Sequence, residues 1–243
     1  MGGALTCLEM TAGAAGSGLL AIQAYRMRAL TRSGAWAAAA CGIVLYAGGG
    51  WTWVVLVGVF FVTASALTRL EPRSGGSRRS LDRMGRRWDQ VAANGGIASI
   101  AAAVHAVTTS PLAFAAAAGA IAVATADTWG TEVGRWSRVR PRLITSWASV
   151  PHGSSGGITV LGTLGAGAGA LLIGVCAAVL ERESHPGSFS AIVMAAGFSG
   201  AIVDSLLGAT IEGRWRWVGN NLTNFAATAW GAGAVLIALR WLR

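Results

Sequence analysis

Two carboxylates in this 243-residue chain stand where charge is expensive: Asp127 closes one long apolar run and Asp204 lies well inside another. An acid within a membrane-spanning helix costs roughly 2.5–3.5 kcal/mol on the insertion scale, so it is rare unless it performs a task. Each is followed at once by a hydroxyl residue, Thr128 and Ser205, and each has a second acid further on, Glu132 and Glu212, before a glycine and an arginine. Asp204, Gly208 and Glu212 recur every four residues and so roughly share one face of a helix. Acids from two helices beside arginines offer hard oxygen ligands and positive charge, which is what Mg²⁺ holding phosphate groups needs. The same acids could equally pair with interfacial arginines at helix ends, and for Glu132 and Glu212 both readings stand.

Phosphate chemistry has a second candidate in Pro151-His152-Gly153-Ser154-Ser155-Gly156-Gly157, directly before an apolar run. Glycines at a helix start let backbone N–H groups approach an anion, and Ser154 and Ser155 add hydroxyl donors. No Gly-Lys-Ser/Thr follows, so this is not a P-loop. A third group is rich in amides: Asp89, Gln90 and Asn94 open one apolar run, and Asn220, Asn221 and Asn224 open another. Amides in membrane helices can simply join neighbours, or they can contact a metal, a phosphate or a base. Arg69 ends a further run beside Ser65 and Thr68, where capping and ligand contact are both open. His105 reads as packing, His185 as a solvated loop residue, and His152 as a possible phosphate contact beside the glycines.

The elements that must position these residues are legible in composition. Hydrophobic residues make up 53% and charged residues only 12%, about half the share of a soluble domain. Mean hydropathy is +0.55. These values exclude a disordered chain, a nucleic-acid-binding arm and an ordinary soluble enzyme, and they predict an all-α, polytopic integral membrane protein. Cys7, Cys41 and Cys176 lie far apart, with no CxxC pair to suggest zinc or a disulfide framework. Apolar stretches at 4–25, 35–47, 51–67, 90–108, 111–126, 156–180, 188–209 and 222–239 predict about eight spans, seven or eight, some short or broken. The first two are the weakest, since one carries Glu9 and the other is brief.

All 19 basic residues are arginine, and sixteen fall in the loops after the odd-numbered stretches, near 26–34, 69–89, 127–155 and 210–221. The largest group comprises Arg69, Arg73, Arg78, Arg79, Arg83, Arg86 and Arg87. The positive-inside rule then sets these loops in the cytoplasm and both termini outside, in a cell (inner or plasma) membrane. Fusing the second and third stretches would weaken that asymmetry, which favours eight spans. Ten of the eleven tryptophans lie near span ends, as an interfacial belt predicts, with Trp230 the exception. No basic region precedes the first apolar run, so a cleaved signal peptide is not expected. No loop is long enough for a separate soluble domain, so residues 1–243 are expected to form one transmembrane domain.

Three ordered runs are similar to the signatures of one integral-membrane family. They are Ala126-Asp127-Thr128-Trp129-Gly130-Thr131-Glu132-Val133-Gly134, then Gly153-Ser154-Ser155-Gly156-Gly157-Ile158, then Asp204-Ser205-Leu206-Leu207-Gly208-Ala209-Thr210. The chain thus resembles the phytyl-phosphate kinase family of plants and cyanobacteria, which also holds an animal transmembrane protein of unclear role. The likeness runs from about residue 26 to 235 and includes Ser33-Gly34-Ala35, Ser65-Ala66-Leu67-Thr68-Arg69 and Gln90-Val91-Ala92-Ala93-Asn94-Gly95. It is distantly similar to polyprenol kinases and CDP-lipid synthases. Ser154, Ile158 and Thr131 are mild departures. Asn221 stands where many members carry Asp, which removes a carboxylate from that motif.

The resemblance implies transfer of a phosphoryl group from a nucleoside triphosphate, CTP in the plant case or else ATP, to a prenyl monophosphate. It implies Mg²⁺ held by Asp127 and Asp204 with help from Glu132 or Glu212. Phosphate or nucleotide contacts are implied for Gly153, Ser154, Ser155, Gly156, Gly157, Thr128, Ser205, Asn94, Asn220, Asn224 and Arg69. The partners are then a nucleotide, a prenyl phosphate and membrane lipid, with no nucleic acid. Two other classes fit the same residues: a transporter or flippase for an anionic lipid or phosphate, and a cytidylyltransferase forming a CDP-lipid.

Overall fold

A backbone in hydrocarbon must satisfy its own hydrogen bonds, and a helix does so within one segment. The computed structural model describes residues 7–70 and 85–241, and there every long apolar run is helical. The helices are α1 (Cys7–Arg26), α2 (Arg32–Gly49), α3 (Trp51–Leu70), α4 (Trp88–Thr108), α5 (Pro111–Gly134), α6 (Val160–Leu180), α7 (Pro186–Thr210) and α8 (Asn220–Trp241). Six of these, α3 to α8, are long and apolar enough to cross a membrane. The two outside that set, α1 and α2, correspond to the two weakest stretches in the sequence.

Helix α5 is the axis of the bundle and packs on α3, α4, α6, α7 and α8. It is buried at every residue from Ala113 to Ala126, as befits a helix that is apolar all round. Its side chains there are mostly alanine, so neighbours approach closely. Against α6 the contact is closer still. A Cβ added to Gly162 would lie 2.6 Å from the Gly130 carbonyl oxygen, and one on Gly165 would lie 2.9 Å from Val133 Cβ. Small residues are therefore a packing requirement along this interface.

Tertiary contacts gather the loops with most arginines at one end. Leu30, between α1 and α2, bridges to Arg86 just before α4. Arg69 at the end of α3 donates to the Met27 carbonyl at 2.6 Å. Residues 135–159 join α5 to α6 and are closed by a short antiparallel pair, β1 (Arg142–Leu143) with β2 (Gly157–Ile158), in the register Arg142 to Ile158. That connection leans on the end of α7 through Gly156.

Two boundaries differ from the sequence reading. The helix expected to stop at 126 runs two further turns to Gly134, so Asp127, Thr128 and Glu132 are helical residues and the loop expected at 127–155 is 135–159. The stretch expected from 156 begins its helix at Val160, with Thr159 as N-cap accepting from Gly162 N at 3.0 Å. Arg73, Arg78, Arg79 and Arg83 lie outside the described residues. Trp230, the one tryptophan far from a span end, is half exposed and donates its indole N–H to Ser199 Oγ at 3.2 Å.

Candidate functional site

Asp127 stands seven residues before the end of α5 and Asp204 six before the end of α7. At 1.5 Å per residue both lie about 10 Å inside the end where those loops gather. Their side chains are in hydrogen-bond contact with each other. Two carboxyl groups at that range hold a proton or a cation between them, because two bare charges repel.

The first turn of α8 secures Asp204. Thr223, 2% exposed, donates its hydroxyl to the Asn220 carbonyl at 2.9 Å and sits within reach of Asp204. With its amide nitrogen turned toward α7, Asn224 donates to Asp204 Oδ1 at 2.9 Å and to the Asn220 carbonyl at 3.1 Å. Sequence reading singled out Asn220, Asn221 and Asn224 but passed over Thr223. Its signal was position alone: it falls one helical turn after Asn220.

Glu132 is buried one and a half turns beyond Asp127 on the same helix. Its Oε1 lies 2.9 Å from the Thr68 hydroxyl of α3, and its Oε2 lies 3.2 Å from Arg135 Nη1. The Thr68 hydroxyl is also 3.0 Å from the Ala64 carbonyl, so one proton serves two acceptors. Glu132 and Glu212 both act electrostatically on Asp127. Four acids thus share one neighbourhood, yet among the described residues no three His, Cys, Asp or Glu side chains converge as a metal cage. Of the expected metal set, the two aspartates meet, and Glu132 is engaged with α3 and Arg135.

The glycine loop reaches the same place. Gly156 has φ +74°, and a Cβ there would lie 2.5 Å from Ala209 Cβ and 2.7 Å from the Ser205 carbonyl. Only glycine allows both that backbone and that contact. Gly208 then faces the Gly156 nitrogen, with Glu212 Oε2 beside it. The hairpin pins the loop, since Ile144 N donates to the Gly156 carbonyl at 2.9 Å. Among the described residues no backbone carbonyl accepts from the N–H of Ser155 or Gly156. Ser205, half-buried, is on the same turn of α7 as Asp204.

Other expected contacts are engaged elsewhere. The Thr128 hydroxyl bonds back to the Ala124 carbonyl at 2.8 Å, and Ser154 Oγ to the Pro151 carbonyl at 2.8 Å. Arg69 serves Met27, and His152 Nε2 lies 3.2 Å from the Ser137 carbonyl. Arg86 rests its guanidinium on Phe60 and Phe61, 5.3 and 5.4 Å from their ring centres. Asn94 lines a separate, largely apolar cavity among α1 to α4 with Gln90.

Residues 15–232 match the family model described as "Integral membrane protein DUF92". The chain is similar to Protein PGR of Arabidopsis thaliana, with 31% identity over 81% of this chain and 76% of that protein. It is also similar to an uncharacterized membrane protein of Methanocaldococcus jannaschii, with 32% identity over 88% and 87%. A third relative is an uncharacterized membrane protein of Synechocystis, with 30% identity over 79% and 75%. No solved structure matches significantly.

Proposed function

The chain belongs to the DUF92 family of integral membrane proteins, and from that premise we propose that it is a membrane-embedded prenyl-phosphate kinase. It transfers a phosphoryl group from a nucleoside triphosphate, CTP in preference to ATP, to phytyl or another isoprenyl monophosphate, giving the prenyl diphosphate. The observation that carries this reading is the contact between Asp127 and Asp204 at the end of the bundle where the Gly156 loop also rests.

Phosphoryl transfer needs positioning and charge neutralisation more than covalent chemistry. The two aspartates suit Mg²⁺, which takes one or two carboxylates and completes its shell with water and phosphate oxygens. When bound there, the ion neutralises the donor phosphates. Asn224 holds Asp204 in one orientation, and the Ser155 and Gly156 amides meet phosphate oxygens. Glu132 positions Arg135 and ties α5 to α3. The acceptor phosphate is already ionised, so no strong general base is required. Its apolar tail stays in the lipid phase among the helices, and its head meets the site at the cytoplasmic face, with both chain termini outside. The polar groups gather at one end, whereas a carrier would need them near mid-bilayer with access from both sides.

The test is direct. Purified protein receives CTP or ATP, Mg²⁺ and phytyl or geranylgeranyl phosphate. The expected products are the prenyl diphosphate and the nucleoside diphosphate, and chelation of Mg²⁺ abolishes both. Release of pyrophosphate with a CDP-lipid would identify a cytidylyltransferase instead. No diphosphate from any pairing, or full activity in both Asp127→Asn and Asp204→Asn, would overturn the proposal.

A further inference from the structure

The first turns of α4 and α8 border an open groove of about 600 Å³, a volume typical of small-molecule sites. It carries Trp88 and Asp89 of α4, Arg216 and Trp217 of the α7–α8 connection, and Asn220 and Asn221 of α8, while the rest of its lining, down to Gly96 and Phe225, is glycine or apolar. None of these residues is used by the acid pair. Trp88 is 55% exposed and Trp217 is 73% exposed. Trp217 is stacked on Trp215 at 5.9 Å, nearly parallel, which fixes its plane. Asp89 is engaged by Arg87 at 3.4 Å, so the amides of Asn220 and Asn221 are the neutral donors and acceptors of the groove.

An interfacial belt accounts for tryptophan at span ends. It does not account for two asparagines and an arginine sharing the same concave surface. Flat aromatic faces next to amides and a guanidinium match a nucleoside, whose base stacks and whose edge both donates and accepts. The groove lies one helical turn of α8 from the acid pair. Asn220 forms its wall, and one turn later Asn224 bonds both to the Asn220 carbonyl and to Asp204. A ligand with a base at one end and phosphates at the other fits that line of residues.

We infer that this groove binds the nucleoside of the phosphoryl donor. Its base lies on Trp88 or Trp217 and its edge is met by Asn220 and Asn221, and its phosphates are directed to Asp127 and Asp204. The identity of the ligand as a donor rests on the kinase reading, whereas the binding itself can be measured without turnover.

The experiment uses full-length protein in nanodiscs with labelled CTP, labelled ATP and inorganic tripolyphosphate as probes. Variants are Trp88→Ala, Trp217→Ala, the pair together, and Trp88→Phe with Trp217→Phe as the conservative control. Both rings are more than half exposed, and melting temperatures check that the fold survives. The wild type is expected to bind at least one nucleotide more tightly than tripolyphosphate. The double alanine variant should lose roughly tenfold in nucleotide affinity, the order of one base–aromatic stack, with tripolyphosphate affinity unchanged and the phenylalanine pair close to wild type. No nucleotide binding, unchanged nucleotide affinity in the double variant, or an equal loss for tripolyphosphate would overturn the inference. So would binding of phosphatidate micelles, but not nucleotide, with the same dependence on the two rings. Prenyl-phosphate transfer with unaltered nucleotide affinity in the variants would remove the groove and leave the kinase reading. Ring-dependent nucleotide binding without any transfer would do the reverse.

Discussion

Replacing Asp204 by Asn separates the chemistry of the acid pair from its structural part. Asn has the same shape as Asp. Its oxygen can still accept from Asn224, which bonds to Asp204, and its nitrogen can donate to Asp127. What is lost is one charge, so charge-assisted bonds become neutral ones, a difference of about 1 kcal/mol. For a chain of this size that moves the melting temperature by only about 2–4 °C. Asp204→Ala removes the partner of Asp127 and one of the two acceptors of the Asn224 amide, whose other acceptor is the Asn220 carbonyl, at about 1–3 kcal/mol for a buried group left unmet, so it melts distinctly lower. Activity follows the opposite order of importance. Loss of one preorganised charge-stabilising group lowers turnover by about 10²–10³-fold, so both variants should be nearly inactive although only Ala unfolds early. The assay pairs transfer of labelled phosphate from CTP with thermal melting, each with and without Mg²⁺. Wild type should gain melting temperature on addition of Mg²⁺ and Asp204→Asn should not. An Asn variant with wild-type turnover and a wild-type Mg²⁺ shift would refute the reasoning, because the pair would then be a hydrogen-bonded joint between helices and nothing more.

Further outcomes follow from other contacts. Gly156→Ala should lose more stability than Gly153→Ala: both have positive φ, which costs a non-glycine residue about 1–2 kcal/mol, but only Gly156 has α7 atoms within 4 Å of an added Cβ. Melting curves of the two variants measure that contact, and equal losses would show that the loop does not rest on α7. Glu132→Ala removes the buried carboxylate that takes bonds from both Thr68 and Arg135 and should cost about 1–3 kcal/mol; denaturation that matches wild type would contradict the burial. Gly162→Ala places a methyl against the Gly130 carbonyl, where backbone cannot easily yield, and should lower stability by about 1–3 kcal/mol, read as a melting shift. In a cysteine-free background, Ser184→Cys should react with an impermeant maleimide on intact cells and Ser154→Cys only after permeabilisation. The reverse pattern would invert the proposed orientation.

Hydropathy located the helices because lipid imposes one rule on every spanning segment, whatever its neighbours. The weakness of the first two stretches was visible too, since Glu9 and the brief 35–47 run reduce apolarity wherever they pack. The end of α5 was not visible. Asp127 and Glu132 look like a boundary in a linear reading, yet the helix continues because Asp204 and Thr68 from other helices meet those polar groups, with Arg135 closing the same helix beside Glu132. Likewise, nothing in the order of residues distinguished Arg69 and Arg86 from arginines free to meet a phosphate; packing commits one to Met27 and seats the other on Phe60 and Phe61.

Composition and spacing alone therefore established a helical membrane protein, the crowding of arginine into alternate loops, and the presence of acids too costly to be idle. Which acids touch was decided by the bundle. Asp127 and Asp204 are separated by 76 intervening residues, and their contact depends on how α5 and α7 rotate about their axes. That rotation is set by glycine and alanine contacts such as Gly197 on Ala122 and Gly200 on Val123. Spacing within one segment encodes a helix face. The direction in which that face is turned is a property of the neighbours packed against it.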